Sequence, residues 1–222
     1  RLKSIVSEML KLHQPALVVL ACNTISTLLL PELRACFDVP FVGVVPAIKP
    51  AARLSKTKRV GLLATPGTVK RPYTDQLIED YASDCEVVRV GSSELVTQAE
   101  NLLSGRDVSE VLLASILAPF EVQTPVDTVV LGCTHFPLLR GQLSKVLPGV
   151  IWVDSGEAIA KRVITLLASY EIPSTVGPEG NSHQLYFSGT KPDSAIFSQA
   201  LIGLGITRHQ LHSFTLSASA PS

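Results

Sequence analysis

The sequence predicts an α/β fold with mainly parallel sheets flanked by helices. Short, continuous apolar runs alternate with stretches of helical periodicity along most of the chain, and this order is typical of strands joined by crossover helices. The chain has 222 residues, of which 46% are hydrophobic, which is enough for a sizeable core in one large or two small domains. No apolar run approaches the roughly 20 residues that a membrane-spanning helix needs.

Seven short apolar runs are predicted to be strands. The first, residues 16–21, follows Pro15 and is apolar throughout, so we expect a strand that is buried on both faces. The other six runs have the same character. They are residues 41–45, 60–64, 87–90, 128–131, 151–153 and 185–187.

Stretches with helical periodicity lie between most of these runs. The chain opens on residues 2–9, whose apolar side chains repeat at helical spacing with no preceding cap residue, and this start inside a helix predicts that an N-terminal segment is missing. Residues 173–181, rich in Pro, Gly and Ser, are expected to form an exposed connection, and residues 217–222 a disordered tail. The remaining predicted helices are residues 47–54, 74–82, 94–103, 108–117, 138–147 and 157–170.

Charge and cysteine content exclude several classes of protein. Nineteen Lys and Arg residues balance nineteen Asp and Glu residues, so bulk charge provides no basic surface for nucleic acid or for an anionic membrane. The four cysteines, Cys22, Cys36, Cys85 and Cys133, are far apart. Their spacing predicts neither a zinc site nor a disulfide scaffold, and no other metal site is expected.

Two of the cysteines stand in a repeated context. Residues 18–24 read Val-Val-Leu-Ala-Cys-Asn-Thr, and residues 129–135 read Val-Val-Leu-Gly-Cys-Thr-His. In both, a buried strand leads through a small residue to a cysteine, and polar side chains follow where a helix would begin. Because a helix N-terminus attracts anions, we expect a carboxylate ligand there and a cysteine pKa lowered from ~8.5 towards neutrality. Cys36 and Cys85 lack this context and are expected to be small buried hydrophobes.

Two thiols that flank one ligand would support a particular reaction. If one cysteine is a thiolate and the other a thiol, the first removes a proton from a carbon atom and the second delivers one to the opposite face. This inverts a stereocentre whose hydrogen is acidified by a neighbouring carbonyl or carboxylate. Neither a pyridoxal-type lysine nor a Gly-rich nucleotide loop is evident, so no cofactor is expected.

Five segments carry further motifs. They are residues 21–24 (Ala-Cys-Asn-Thr), 42–47 (Val-Gly-Val-Val-Pro-Ala), 63–69 (Leu-Ala-Thr-Pro-Gly-Thr-Val), 132–139 (Gly-Cys-Thr-His-Phe-Pro-Leu-Leu) and 153–156 (Val-Asp-Ser-Gly). Together they resemble the bacterial glutamate racemase family, from Arg1 to about Leu204. The two cysteine motifs are shared by the wider aspartate/glutamate racemase group, and the Gly-Cys-Thr-His-Phe-Pro-Leu-Leu segment narrows the resemblance to the glutamate branch.

The resemblance implies two pseudo-symmetric α/β domains with the active site in the cleft between them. The first domain would comprise residues 1–45 and 155–222, and the second residues 46–154. It also implies interconversion of L- and D-glutamate, which supplies D-glutamate for peptidoglycan synthesis in the bacterial cytoplasm. A second copy of the chain is a candidate partner, because the family commonly forms homodimers.

The resemblance also assigns roles to individual residues. Carried over by motif, Cys22 acts on one enantiomer and Cys133 on the other, exchanging base and acid roles with the direction of the reaction. His135 assists Cys133, and Glu100 aligns with an acidic residue that the family places near the site. The substrate's carboxylates and ammonium group would be held by Asn23, Thr24, Thr134 and His135.

The chain departs from the family pattern at its start. The family begins with a strand that leads into an Asp-Ser-Gly motif and a Pro-Tyr-Gly segment, and neither precedes Arg1. Residues 154–156 do not replace that motif, because they match a different segment of the family. This polypeptide is therefore expected to be weakly active or inactive.

Several alternatives remain open. The same scaffold could racemise aspartate or another amino acid, a catalytically silent relative could bind an amino acid or a protein, and a general α/β domain could carry two structural cysteines. Thr65 and Thr68 could offer hydroxyls to a carboxylate or serve only a turn. Residues 154–156 could be only a helix cap.

Overall fold

The structure is a computed structural model that describes residues 1–122, 124–171, 182–189 and 194–214. The strands in these ranges are β1 (Val18–Leu20), β2 (Phe41–Gly43), β3 (Arg59–Ala64), β4 (Glu86–Gly91), β5 (Thr128–Leu131), β6 (Ile151–Val153), β7 (His183–Phe187) and β8 (His209–Ser213). The α-helices are α1 (Leu2–His13), α2 (Asn23–Cys36), α3 (Ile48–Leu54), α4 (Pro66–Val69), α5 (Pro72–Ala82), α6 (Glu94–Leu103), α7 (Glu110–Leu117), α8 (Arg140–Val146), α9 (Gly156–Ser169) and α10 (Ser194–Gly203). Two 3₁₀ turns span Ala118–Phe120 and Phe136–Leu139.

The strands form three sheets in the described part of the chain. β1 pairs with β2, β7 pairs with β8, and the central sheet has the strand order β4-β3-β5-β6. All of these pairs are parallel, so the predicted α/β class with parallel sheets is confirmed. The division into residues 1–45 with 155–222 and residues 46–154 stays a prediction.

The central sheet is covered by helices on both faces. Leu62 and Leu63 are neighbours in β3, so they point to opposite faces, and neither has any exposed surface. Leu63 packs in a cluster with side chains of α6, α7 and α8, whereas Leu62 packs in a cluster with side chains of α3 and α5. This double cover explains why β3 and β5 read as continuous apolar runs.

The strand β1 is not buried on both faces, so that prediction is wrong. Leu20 is buried in a cluster with Val6 of α1, Leu33 of α2 and Phe41 of β2. Val19, on the opposite face, is 40% exposed. An apolar run does not reveal how many faces of its strand are covered, because coverage depends on elements that are distant in sequence.

The order of helices and strands differs from the expectation at a few further places. The helical opening is confirmed by α1 and the helix expected after Cys22 by α2, but the short helix α4, helix α10 and strand β8 were not predicted. The expected connection at residues 173–181 and the expected tail at residues 217–222 lie outside the described residues. Among the helices of the described ranges, none has the length and apolar character needed to cross a membrane.

Candidate active site

Each cysteine of the repeat lies just beyond the carboxyl end of a parallel strand. Cys22 follows β1 and is the N-cap residue of α2, as the polar residues after it in the sequence predicted. Cys133 follows β5, but a 3₁₀ turn rather than a long helix comes next. The carboxyl ends of parallel strands are where α/β proteins bind their ligands, so both cysteines occupy positions suited to a site.

The two cysteine motifs meet in one cavity of about 210 Å³, although they belong to different sheets. A larger cavity of about 490 Å³ near Trp152 and Lys161 has no cysteine in its lining. The smaller cavity is therefore the candidate site, because it collects the chemistry-bearing residues. Its lining consists of Ala21, Cys22, Asn23, Thr24, Thr65, Thr68, Val96, Gly132, Cys133, Thr134 and His135.

Glu100 is outside this lining but is connected to it through His135. The His135 Nε2 atom lies 2.9 Å from Glu100 Oε1, and its Nδ1 atom lies 3.8 Å from the Cys133 sulfur. When the Nε2–H donates to the carboxylate, Nδ1 is left as an acceptor that faces the thiol. The three side chains can therefore pass or hold a proton at Cys133.

The expected lowering of the cysteine pKa is wrong for Cys133. Burial raises the pKa of this thiol, the backbone N–H of His135 lowers it by a smaller amount, and the charge of a thiolate at Cys22 raises it. The 3₁₀ turn that follows Cys133 lacks the aligned peptide dipoles of a longer helix, so desolvation of the thiolate dominates. The structure therefore favours the protonated form of Cys133.

Three threonine hydroxyls converge in the cavity. Thr24 Oγ1 lies 3.1 Å from Thr68 Oγ1 and 3.5 Å from Thr65 Oγ1, and the latter two are 3.1 Å apart. The sequence alone does not distinguish a ligand role from a turn role for Thr65 and Thr68. Their position after β3, at the carboxyl edge of the sheet, was the available signal. Their contact with Thr24 depends on tertiary packing, so no pattern in the sequence predicts it.

Two further side chains from the motifs have distinct surroundings. Thr134 donates its hydroxyl to the Ala21 carbonyl at 3.1 Å, which links the two cysteine segments directly. Asn23 is 4% exposed, and its Oδ1 atom has no hydrogen-bond partner among the described residues. Because a buried amide oxygen without a partner is costly, this atom is suited to accept a hydrogen bond from a ligand in the cavity.

The other two cysteines differ from the expectation. Cys36 is exposed, so its assignment as a buried hydrophobe is wrong, and Cys85 is half-buried. Cys36 is the last residue of α2 and lies at the surface, beside the half-exposed Lys3 of α1. Burial raises the pKa of the Cys85 thiol, as does its contact with Asp84. Neither thiol lines the candidate site.

Residues 154–156 form the start of α9 beside the site. Asp154 accepts a hydrogen bond from the Gly156 N–H at 2.8 Å and pairs with Arg140 at 2.5 Å. Ser155 donates to the Val45 carbonyl at 2.5 Å. These bonds account for the segment as a helix start, which was one of the two interpretations left open. The segment lines a neighbouring cavity of about 210 Å³ that also contacts Cys133.

The fold and the site define a class of α/β protein in which one cysteine from each of two parallel sheets lines a shared cavity. Residues 3–163 match the model of the Asp/Glu/Hydantoin racemase family. The chain belongs to this family.

Two curated relatives are similar to most of this chain. A glutamate racemase from Shewanella sp. (strain MR-7) is 53% identical over 179 residues, which are 80% of this chain and 65% of the relative. One from Shewanella baltica (strain OS185) is 46% identical over 205 residues, which are 92% of this chain and 74% of the relative. The chain thus spans slightly less than two thirds of the Shewanella sp. (strain MR-7) protein.

A solved structure is similar over nearly the whole chain. It is the crystal structure of Escherichia coli glutamate racemase in complex with L-glutamate and the activator UDP-MurNAc-Ala. Its TM-score is 0.87 at 45% identity, and the match covers 98% of this chain and 81% of that chain. The fold of this chain is therefore that of a glutamate racemase.

Proposed function

We propose that this chain interconverts L- and D-glutamate without a cofactor, with Cys22 and Cys133 as paired base and acid. The observation that carries the proposal is that both thiols line one cavity. Racemisation requires that the α-proton leave one face of the carbon and that another arrive at the opposite face, whereas a single base would return it to the same face. The named activity of the relatives supports glutamate as the substrate.

The proton balance assigns complementary states to the two thiols. The thiolate of one cysteine takes the α-proton, and the resulting carbanion is stabilised by the adjacent carboxylate. The thiol of the other cysteine then gives its proton to the opposite face, so the two cysteines have exchanged protonation states. The raised pKa of Cys133 supports a resting state with a thiol at Cys133.

The polar side chains of the cavity supply the remaining contacts. The hydroxyls of Thr24, Thr65 and Thr68 are close enough together to donate to one carboxylate of the substrate. The unpartnered Oδ1 atom of Asn23 accepts from the substrate ammonium group. His135, held by Glu100, takes part in proton transfer at Cys133, and Thr134 holds the two cysteine segments together.

The proposal extends to the setting of the reaction. D-Glutamate produced by this chain would be used for peptidoglycan synthesis in the cytoplasm. A second copy of the chain is the proposed protein partner. Sedimentation of the purified chain at several concentrations tests whether it forms a homodimer. A chain that is monomeric at every concentration would contradict this proposal.

Incubation of the chain with L-glutamate in deuterated water tests the reaction. We expect slow loss of the α-proton signal in the NMR spectrum and slow decay of the optical rotation towards zero, because the sequence predicts weak activity. Cys22→Ala and Cys133→Ala are expected to stop inversion, and Cys36→Ala, which removes an exposed thiol, is the matched control. The proposal fails if neither the unaltered chain nor a chain extended by the family's N-terminal Asp-Ser-Gly segment exchanges or inverts, or if either site variant keeps full activity.

A parallel assay with L-aspartate separates glutamate from the substrate of a sister reaction. We expect glutamate to be converted faster at equal concentration. If aspartate were converted faster, the two-thiol mechanism would still hold, but the proposed substrate would be aspartate instead of glutamate.

A further inference from the structure

Ser26 interrupts the hydrogen-bond ladder between β1 and β2 beside Cys22. Leu20 lies opposite Gly43, so the next bond of this parallel ladder would join the Val44 N–H to the Leu20 carbonyl. Instead, the Val44 N–H donates to the Ser26 hydroxyl oxygen at 3.0 Å, and that hydroxyl donates to the Leu20 carbonyl at 2.9 Å. A side-chain hydroxyl thus replaces a ladder bond at the carboxyl ends of both strands.

The same serine contacts the backbone of Cys22 directly and also contacts the carbonyl to which Cys22 is bonded. The Ser26 N–H donates to the Cys22 carbonyl at 2.8 Å. The Leu20 carbonyl, which accepts the Ser26 hydroxyl, also accepts the Cys22 N–H at 2.9 Å. Ser26 is only 3% exposed, so water has little access to replace these bonds. The backbone of Cys22 is therefore held by one bond from Ser26 and by one bond to a carbonyl that the Ser26 hydroxyl also contacts.

Close packing of α2 on β2 brings the hydroxyl into the ladder. A Cβ atom at Gly43 would lie 2.5 Å from Leu30 Cδ2 and 3.3 Å from Ser26 Oγ. A side chain at this position would displace Leu30 and crowd Ser26, so glycine favours the close approach of the helix to the strand. The contact therefore depends on both Ser26 and Gly43, and it fixes the start of α2 against the end of β2.

The second cysteine is held by different means. Beside Cys133, the Gly132 N–H donates directly to the Leu63 carbonyl at 2.7 Å, as in an uninterrupted parallel ladder. Pro137 follows Cys133 by the same four positions by which Ser26 follows Cys22, and proline has no hydroxyl. The two halves of the site are alike in sequence pattern but not in how their thiols are positioned.

We propose that Ser26 is a positioning residue for Cys22, which it holds in register with the strand ends through its bonds to Leu20 and Val44. Loss of the hydroxyl would leave the buried Val44 N–H without its partner and would free the segment that carries Cys22. Cys133, which has its own ladder bond, would keep its place. The kinetic consequence rests on the racemase reaction proposed above, whereas the consequence for thiol accessibility does not.

Alkylation by iodoacetamide, measured by mass spectrometry of the two cysteine peptides in the folded chain, tests this role. For Ser26→Ala we expect the alkylation rate of Cys22 to rise about fivefold relative to Cys133, as for a local opening that has lost one buried hydrogen bond. We also expect kcat with glutamate to fall about tenfold, because the thiol is misplaced. Faster alkylation with slower turnover is not produced by unfolding, which would expose both cysteines equally.

Two further variants make the result decisive. Ser55→Ala deletes another buried hydroxyl, which bonds to Asp127 before β3 and β5 begin, and it should leave the alkylation ratio unchanged. Ser26→Thr keeps the hydroxyl and should also keep the ratio, so it tests the role even if Ser26→Ala does not fold. An unchanged ratio in folded Ser26→Ala, or the same rise in either other variant, overturns the proposal. A chain that fails to convert glutamate would remove the racemase function, and the alkylation ratio would still decide the role of Ser26.

Discussion

The imidazole Nε2 atom of His135 lies 2.9 Å from Glu100 Oε1, although the two residues come from different elements. Glu100 lies on α6, and His135 precedes the 3₁₀ turn that packs against that helix. The carboxylate selects the Nε2–H tautomer of the imidazole, which leaves the Nδ1 lone pair facing Cys133. In the proposed reaction, this orientation would allow His135 to exchange a proton with the thiol.

Glu100→Gln is expected to lower kcat for glutamate about tenfold, with little change in KM. The amide can still form a hydrogen bond, but it no longer favours one tautomer or stabilises a protonated imidazole. The effect is modest because the Glu100 side chain is 54% exposed. Steady-state kinetics with both enantiomers measures it.

Glu94→Gln provides the matched control, because Glu94 is an exposed residue in the first turn of the same helix. Its kcat should equal that of the unaltered chain. Equal activities in Glu100→Gln and Glu94→Gln would show that the carboxylate of Glu100 has no part in the reaction.

The sequence predicted which cysteines line the candidate site better than it predicted their surroundings. The repeat identified Cys22 and Cys133, because strand and motif patterns are formed by consecutive residues and can be recognised in a single sequence. Glu100 came only from the family resemblance, since its contact with His135 joins segments with no shared pattern. The exposed Val19 and Cys36 were misassigned for the same physical reason. Burial depends on which distant elements cover a residue, whereas hydrophobicity is a property of the residue itself.

The raised pKa of Cys133 predicts a loss of stability at alkaline pH. Burial favours the neutral thiol in the folded state, so the unfolded chain releases this proton at lower pH than the folded chain does. The stabilisation is complete below the ordinary thiol pKa of 9.0 and is lost as the pH rises through the folded value. Urea unfolding across this range should show a steeper decline for the unaltered chain than for Cys133→Ser.

Comparison of the two chains cancels other groups that titrate in this range, such as Cys85 and Tyr73, whose pKa values burial also raises. Cys36→Ser removes an exposed thiol and should follow the unaltered chain. Parallel declines for the unaltered chain and Cys133→Ser would contradict the predicted effect of burial at Cys133.

Asp127 is expected to stabilise the fold without affecting the reaction. It accepts hydrogen bonds from the Ser55 hydroxyl at 2.6 Å and from the backbone N–H groups of Lys56 and Thr57 at 2.7 and 2.9 Å. Burial would raise the pKa of this carboxyl, but these bonds outweigh burial and lower the pKa to about 2. Asp127→Asn should reduce the free energy of unfolding by about 1–3 kcal/mol at neutral pH.

The pH dependence follows from the sign of this shift. The stabilisation by Asp127 is present above its ordinary pKa of 3.8 and is lost as the pH falls towards about 2, so the difference between the two chains should shrink in acid. Asp107→Asn, at an exposed loop position, is the control for the loss of a carboxylate. A difference that persists or grows in acid would show that the ionised carboxylate is not the source. Because Asp127 precedes β5 and Cys133 follows it, kcat should not change.

Gly132→Ala is expected to impair both folding and catalysis, because Gly132 joins β5 to Cys133. A Cβ atom at this position would lie 2.9 Å from Ala64 Cβ and 3.1 Å from Leu62 Cδ1. The first contact involves a rigid side chain on β3, so the strands must separate, which costs about 1–3 kcal/mol. The same shift strains the hydrogen bond from Gly132 to the Leu63 carbonyl.

Gly141→Ala separates this steric effect from the general effect of replacing glycine. Gly141 lies in α8, where an added Cβ meets no atom within 4 Å, so the substitution should raise the free energy of unfolding by about 0.5–1 kcal/mol. Gly132→Ala should lower it and should also reduce kcat, since Cys133 moves with the strand end. Urea unfolding and steady-state kinetics on both variants measure these opposite outcomes. Normal activity in a destabilised Gly132→Ala chain would mean that the position of Cys133 does not depend on the close approach of β3 and β5.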